Sequence, residues 1–301
     1  MVEAVVASGL TCKYGSTEAV ANLSLQVEAG TIFALLGPNG AGKTTTLRTL
    51  MNIIRPSAGS ATVLGVDSRR LGPREFAAIG YVSENQLIPG WMTVDELLAF
   101  CRPLYPDWDN DLCRKLVEQF DLPRSVRISR MSRGMRVKAA LVSSLAYRPR
   151  LLVLDEPFTG LDPVVRDDLV RGVLELAGEE QWTVVVSSHD LDEVERLVDT
   201  IAFLDGGRLV LSEPFAELHA RFRRIDVTAR EPWTERPATP EAWLGVEIAG
   251  RVLRLVDSRY VEGDTERRIA ALTPDPVIDI QPMTLREIFI ALVRRQRGVS
   301  R

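Results

Sequence analysis

The chain has 301 residues, 46% hydrophobic and 26% charged, enough for one large domain with a smaller companion or for two modest domains. Its formal net charge of −4 speaks against a nucleic-acid binder, whose affinity rests on neutralising phosphates with a basic surface. Cys12, Cys101 and Cys113 are an odd set with no Cys-x-x-Cys spacing, which argues against a disulfide framework or a zinc site and suits a reducing compartment.

The opening Met1-Val2-Glu3-Ala4 has neither the basic start nor the apolar stretch of a signal peptide. No apolar run approaches the roughly 20 residues that span a bilayer. Service to a membrane is therefore expected from the cytosol, through a partner chain. The arginines near the end, Arg294, Arg295, Arg297 and Arg301, read as a solvated terminus rather than a lipid anchor.

In chain order, residues 4–7 and 23–27 read as short strands, the second alternating apolar and polar side chains. Residues 31–36 form a compact apolar run that ends in a Gly-rich turn, and 44–51 have helical spacing. Such a strand–turn–helix unit is the pattern of a phosphate-binding site. From about residue 84 to 148 apolar residues recur at helical intervals between Pro103, Pro106 and Pro123, which predicts a helical insert. Residues 151–154 and 183–186 are solid apolar runs suited to strands buried on both faces, with a helix predicted over 164–176. Beyond Pro214 short strands at 225–229, 246–248, 252–256 and 277–280, with helices at 265–272 and 284–294, predict a small α+β domain.

The chemistry concentrates in two motifs. Gly37-Pro38-Asn39-Gly40-Ala41-Gly42-Lys43-Thr44 fits G-x-x-x-x-G-K-[ST], in which glycines let successive backbone N–H groups face phosphates at a helix N-terminus. Lys43 is expected to meet the β- and γ-phosphates and the Thr44 hydroxyl to coordinate Mg²⁺. Leu151-Leu152-Val153-Leu154-Asp155-Glu156 supplies the other half: a buried strand ending in two carboxylates, where open α/β sheets bind ligands. Asp155 is expected to hold Mg²⁺, and Glu156 to position and polarise the attacking water.

With these motifs in this order, residues 3–213 resemble the nucleotide-binding subunits of ATP-binding cassette (ABC) transporters. The resemblance implies an α/β P-loop NTPase fold with a helical insert and an antiparallel β subdomain over 1–215, followed by the small domain over 216–301. It implies an ATP site formed by Gly37, Asn39, Gly40, Ala41, Gly42, Lys43, Thr44 and Thr45, with Tyr14 stacking on adenine. Met131-Ser132-Arg133-Gly134-Met135 stands where that family carries Leu-Ser-Gly-Gly-Gln, so Ser132 and Gly134 are expected to bind nucleotide. Gly160-Leu161-Asp162 matches the loop after the catalytic Glu, bringing in Asp162. His189 matches the switch histidine that contacts the γ-phosphate.

Two positions depart from the family: Glu84 stands where Gln is usual, as a further Mg²⁺ ligand, and Arg133 replaces the first signature glycine. Arg133 would either add a charged contact to nucleotide or point into solvent. Similar departures, and a C-terminal extension ending like Pro282-Met283-Thr284-Leu285-Arg286-Glu287-Ile288-Phe289, occur in the export-type branch. By resemblance the protein is an ATPase (catalytic Glu156, His189 and Lys43; cofactors ATP and Mg²⁺) that closes head to tail with a second copy. Each ATP then lies between one phosphate loop and the other's signature, and the pair drives a separate integral membrane permease from the inner face of the membrane. Trp91, Met92, Tyr105 and Trp108 either line a groove for that permease or belong to the core. The alternative is a soluble ABC ATPase with a regulatory role and no membrane partner; soluble members that work in DNA repair or translation usually carry a long coiled-coil insertion or two cassettes, and this chain has neither.

Overall fold

The computed structural model describes residues 2–84, 86–180, 182–192, 194–296 and 298; of the terminal arginines, Arg297 and Arg301 lie outside that set. The chain divides into two compact units between Ser212 and Glu213.

In the first unit, β1 (Glu3–Tyr14) and β2 (Thr17–Glu28) pair antiparallel, with Val5 opposite Val27 and Leu10 opposite Leu23. Both run well beyond the segments predicted, because register shifts on either side of Leu10 break the strict alternation on which sequence reading depends. Next come β3 (Ile32–Leu36), α1 (Lys43–Leu50), β4 (Ala58–Val63) and β5 (Val66–Asp67). A four-stranded antiparallel sheet takes the order β2-β1-β4-β5. Its inner side chains, among them Leu10, Leu23 and Val63, share one apolar cluster with Phe33 and with Leu47 and Met51 at α1.

The chain continues through α2 (Pro73–Phe76) and β6 (Ile79–Ser83) into the helical insert of α3 (Val94–Cys101), α4 (Asn110–Gln119) and α5 (Arg133–Leu145). Local chemistry starts each insert helix. Thr93 and Glu96 form a reciprocal capping box on α3, Asp109 accepts from two N–H groups of α4, and Ser132 caps α5. Met92, one of the groove candidates, is 6% exposed and belongs to the core. Tyr105 is half-buried and stacks on Tyr147 at 3.8 Å between ring centres.

The unit continues with β7 (Leu151–Asp155), α6 (Pro163–Glu180), β8 (Thr183–Ser188) and β9 (Thr200–Asp205), and ends within β10 (Arg208–Pro214). A six-stranded sheet takes the order β10-β9-β3-β8-β7-β6, with β3, β6, β7, β8 and β9 paired parallel. Every residue of β7 and β8 is buried, and Leu151, Val153 and Val185 pack in the same apolar cluster as α1 and the antiparallel sheet. Parallel pairing brings the carboxyl ends of β3, β6, β7 and β8 to one edge, where the candidate site residues Lys43, Glu84, Glu156 and His189 follow them.

The second unit begins with α7 (Phe215–Arg221), which sequence reading missed, and holds β11 (Arg223–Thr228), β12 (Trp243–Ala249), β13 (Val252–Asp257), α8 (Asp264–Ala270), β14 (Val277–Pro282) and α9 (Leu285–Gln296). Its four strands pair antiparallel in the order β12-β13-β11-β14. Ile225 lies opposite Leu255 and Ile280, and Val227 opposite Leu253 and Ile278, so alternation along each strand builds one apolar face. That face forms a core with Trp243, Val246 and Ile269. Arg295 pairs with Glu241.

Candidate functional site

Between β3 and α1 the backbone takes conformations that favour glycine. Gly37 has φ 153°, and a Cβ there would stand 2.3 Å from the Leu204 carbonyl oxygen; Gly42 has φ 101°, and its Cβ would stand 2.5 Å from the Ala19 carbonyl oxygen. Gly42 is the N-cap of α1 and brings no side-chain bond to the helix end, so the first-turn N–H groups are left for an anion. Around this turn lies a cavity of about 430 Å³ lined by Asn39, Gly40, Ala41, Gly42, Lys43, Thr44 and Thr45, together with Ala19, Glu84, Glu156, Thr159 and His189.

Lys43 is 5% exposed and fully engaged. Its Nζ donates to the carbonyls of Gly37 at 2.7 Å and Pro38 at 3.2 Å, and lies 3.0 Å from Glu156 Oε1. The other Glu156 oxygen accepts from Thr159 Oγ1 at 3.0 Å and sits 2.7 Å from His189 Nδ1. Burial pushes the Glu156 carboxyl up, but His189, Lys43 and Thr159 together outweigh it and hold the group below its ordinary range. Glu156 is therefore an anion at neutral pH, fit to accept a proton-bearing partner in a cavity. Its backbone, at φ 53°, occupies the left-handed region, and its N–H donates to Ser187 Oγ at 3.0 Å.

The neighbouring Asp155 is shifted the opposite way. It is 3% exposed, and burial raises its pKa against two hydroxyl donors, Ser187 Oγ at 2.8 Å and Thr44 Oγ1 at 2.9 Å, both on Oδ1. Thr44 and Asp155 thus present adjoining oxygens of the hard kind that Mg²⁺ takes, and Glu84 adds a carboxylate on the cavity wall. Among the described residues no cluster of three or more His, Cys, Asp or Glu could hold a metal. A donor set of one or two carboxylates and a hydroxyl fits an ion whose remaining ligands are phosphate oxygens and water. The uncapped helix start, the buried ammonium and this oxygen pair together fit a magnesium nucleotide.

The remaining expected residues fall elsewhere in the chain. Tyr14 ends β1, 51% exposed, outside the cavity lining. Ser132 and Gly134 stand at the start of α5, also outside that lining. Ser132 Oγ accepts from the Met135 N–H at 3.2 Å, while a Cβ on Gly134 would meet Val165 Cγ1 at 2.6 Å, so this glycine serves close helix packing. Asp162 Oδ1 accepts from the Val164 N–H at the start of α6. Arg133 does not simply point into solvent: its guanidinium binds Glu84. Sequence reading missed Thr159 and Ser187 as site residues, although each lies within three residues of a matched motif, and missed Ala19, which carries no sequence signal.

Residues 20–159 match the ABC transporter family. The chain is 33% identical over 220 residues to the bacitracin transport ATP-binding protein BcrA of Bacillus licheniformis, covering 71% of each chain. It is 34% identical over 283 residues to the daunorubicin resistance ATP-binding protein DrrA3 of Streptomyces coeruleorubidus, covering 92% of this chain and 84% of the relative. That match is longer than the first unit and so runs into the second. Among solved structures, the ATP-binding subunit of an ABC transporter superposes with a TM-score of 0.65 at 24% identity, covering 72% of this chain and 92% of that one. A dimeric ATP-binding cassette with ADP and Pi gives 0.62 at 21% identity, covering 70% and 98%, a likeness of fold. No described helix is long and apolar enough to cross a membrane. With its phosphate loop, paired carboxylates and histidine gathered on one sheet edge, the chain belongs to the ATP-binding proteins of ABC transporters, a family of ATP-hydrolysing cassettes.

Proposed function

We propose that this chain powers an exporter by hydrolysing ATP between two copies of itself, from the cytoplasmic face of a membrane and against a separate permease. The observation that carries the reading is the Lys43–Glu156–His189 constellation at the cavity. Lys43 meets Glu156 through its ammonium, and phosphate oxygens would compete with Glu156 for that group. The Glu156 carboxylate, once relieved of that ion pair, is placed to orient a water toward the terminal phosphate, with His189 holding its other oxygen. Bound Mg²⁺ would be held by Thr44, Asp155 and Glu84 and would supply charge neutralisation on the phosphates. Tyr14, half exposed at the end of β1, would stack on adenine. Ser132, Gly134 and Asp162 would complete the site of the second copy, since they stand outside the cavity of their own.

Export is supported by the relatives, whose names include bacitracin transport and daunorubicin resistance, and by the second unit that the longer match includes. A face for the permease is offered by exposed apolar side chains between residues 87 and 104: Leu87, Trp91, Phe100 and Leu104 are 97%, 66%, 58% and 61% exposed. A cleft of about 350 Å³ between Gln86, Leu87 and Ile88 and the Arg136–Val137–Ala140 side of α5 suits a short amphipathic helix. The direct test is affinity purification of tagged protein from gently solubilised native membranes. A stoichiometric multi-helix membrane protein is the expected companion. Recovery of an ATPase-active dimer alone, under conditions that preserve known membrane complexes, would overturn the permease assignment in favour of the soluble regulatory ATPase.

A further inference from the structure

The two departures from the family pattern are partners. Glu84 and Arg133 lie 49 positions apart, yet Arg133 Nη2 donates to Glu84 Oε1 at 2.7 Å. Each of them also faces something else. Glu84 lines the cavity that holds Lys43, Thr44 and Glu156. Arg133 is the first residue of α5, and its guanidinium lies against Gly160, so that a Cβ there would be 3.5 Å from Nη1. Arg133 Nε is buried and has no hydrogen-bond partner. Its fork of donors is therefore only partly used.

The pair is held lightly. The side chains are 39% and 30% exposed, and an ion pair in contact with water contributes little that a stronger partner cannot replace. A magnesium nucleotide presents both stronger partners at once: a divalent cation for the carboxylate and phosphate oxygens for the guanidinium. The charges also make sense only together. Glu84 alone would set a negative charge beside a triphosphate. Arg133 alone would leave an unmatched cation at the helix start, where the α5 dipole is already positive.

We propose that Glu84 and Arg133 form an exchange latch. Magnesium nucleotide bound beside Lys43 draws the Glu84 carboxylate to the metal, and the guanidinium so released becomes a ligand for the terminal phosphate held by a second copy of this chain. Swinging off Glu84 uncovers the Nε edge, and the Nε–Nη2 fork matches two phosphate oxygens. Within one chain the two charges cancel; after exchange each meets an opposite charge of higher valence. The latch links metal occupancy in one copy to the grip that copy exerts on the other's nucleotide. It rests on the head-to-tail reading given above.

The test uses full-length protein carrying Glu156→Gln, so that nucleotide is held rather than consumed. Arg133→Gln is added, and two quantities are read: affinity for Mg·ATP at protein concentrations too low for pairing, and Mg·ATP-driven dimerisation by sedimentation. The latch requires opposite signs from this one substitution. Nucleotide affinity of the lone chain rises about two- to fivefold, because Glu84 no longer has to leave a half-exposed ion pair. Dimerisation weakens by about tenfold or more, through loss of a charge-assisted contact. Arg133→Lys keeps the charge, loses the fork and gives the same two signs at smaller size, which covers the case in which Arg133→Gln lowers the melting temperature too far. Both quantities moving the same way, or neither moving, would show a static clamp and overturn the latch alone. A Glu156→Gln parent that stays monomeric with Mg·ATP would overturn the head-to-tail reading and the latch with it.

Discussion

Each unit buries a carboxylate at the end of a strand, and the two behave differently. Asp155 and Asp257 are 3% and 2% exposed. In the second unit Asp257 accepts from Thr265 Oγ1 at 2.8 Å, Trp243 Nε1 at 3.3 Å and the Arg259 N–H at 2.9 Å. Its donors are all neutral, and together they fasten β12, β13 and α8. Asp155 has two hydroxyl donors, and one of them, Thr44, lines the cavity; the next residue, Glu156, reaches a buried lysine and a histidine at the cavity wall. Burial and hydrogen bonding therefore do not mark a site by themselves. What separates the two places is open space beside groups of unlike charge, which a ligand can enter and rearrange.

The largest effect that sharpens this contrast is on rate. Glu156→Gln should lower ATP turnover by about 10²–10⁴-fold, the range for losing a positioned base, while the protein still unfolds cooperatively and is trapped as an ATP-bound dimer. Unchanged turnover would remove Glu156 from the mechanism. The matching change in the second unit, Asp257→Ala, should act on stability instead. Leaving the Thr265 hydroxyl and Trp243 N–H buried without an acceptor costs about 1–3 kcal/mol, read by denaturant unfolding, with the rate per folded molecule unaltered.

A smaller effect separates the adjacent carboxylates by pH. The folded Asp155 pKa is raised, so its ionisation withdraws stability: the deficit is absent below the unfolded pKa, grows through the carboxylate range and is complete above the folded pKa. Glu156 is held low, so its contribution is present above the unfolded pKa and is lost as pH falls through the folded one. Asp155→Asn should thus raise the melting temperature at neutral pH and Glu156→Gln should lower it, with both differences closing in acid. Each pH unit of displacement corresponds to about 1.4 kcal/mol. Parallel profiles for the two variants would contradict the opposed shifts. The smallest effect is expected at Trp91→Ala, within about 0.5 kcal/mol of the parent in denaturant unfolding, because the ring is 66% exposed. A loss of several kcal/mol would return Trp91 to the core, where Met92 already lies.

Much of the candidate site is legible in sequence because its parts are contiguous. A phosphate loop needs its glycines, lysine and threonine at fixed local spacing, and the residues from Asn39 to Thr45 do line one cavity. Asp155 and Glu156 announce themselves as charges ending an apolar run, since a buried parallel strand must be apolar until it reaches the ligand edge. Bulged strands are harder to read, which is why β1 and β2 extend so far past the segments with clean alternation. Side chains between Glu84 and Trp108 were ambiguous for another reason: a large apolar residue serves a core and a docking face equally well, and only exposure separates Met92 from Trp91.

Read alone, then, the sequence determined the phosphate loop, the paired carboxylates and an apolar β7 and β8, because each depends on interactions within a few residues or on simple burial. Tertiary structure decided the rest. Ser187 meets Asp155 across two parallel strands, His189 reaches Glu156 from the end of β8, and Arg133 closes on Glu84 from the start of a helix 49 positions away. Those contacts follow from strand order and helix placement, and no local pattern of residue types encodes them, since a charge leaves the same mark on a sequence whether it faces water or a partner.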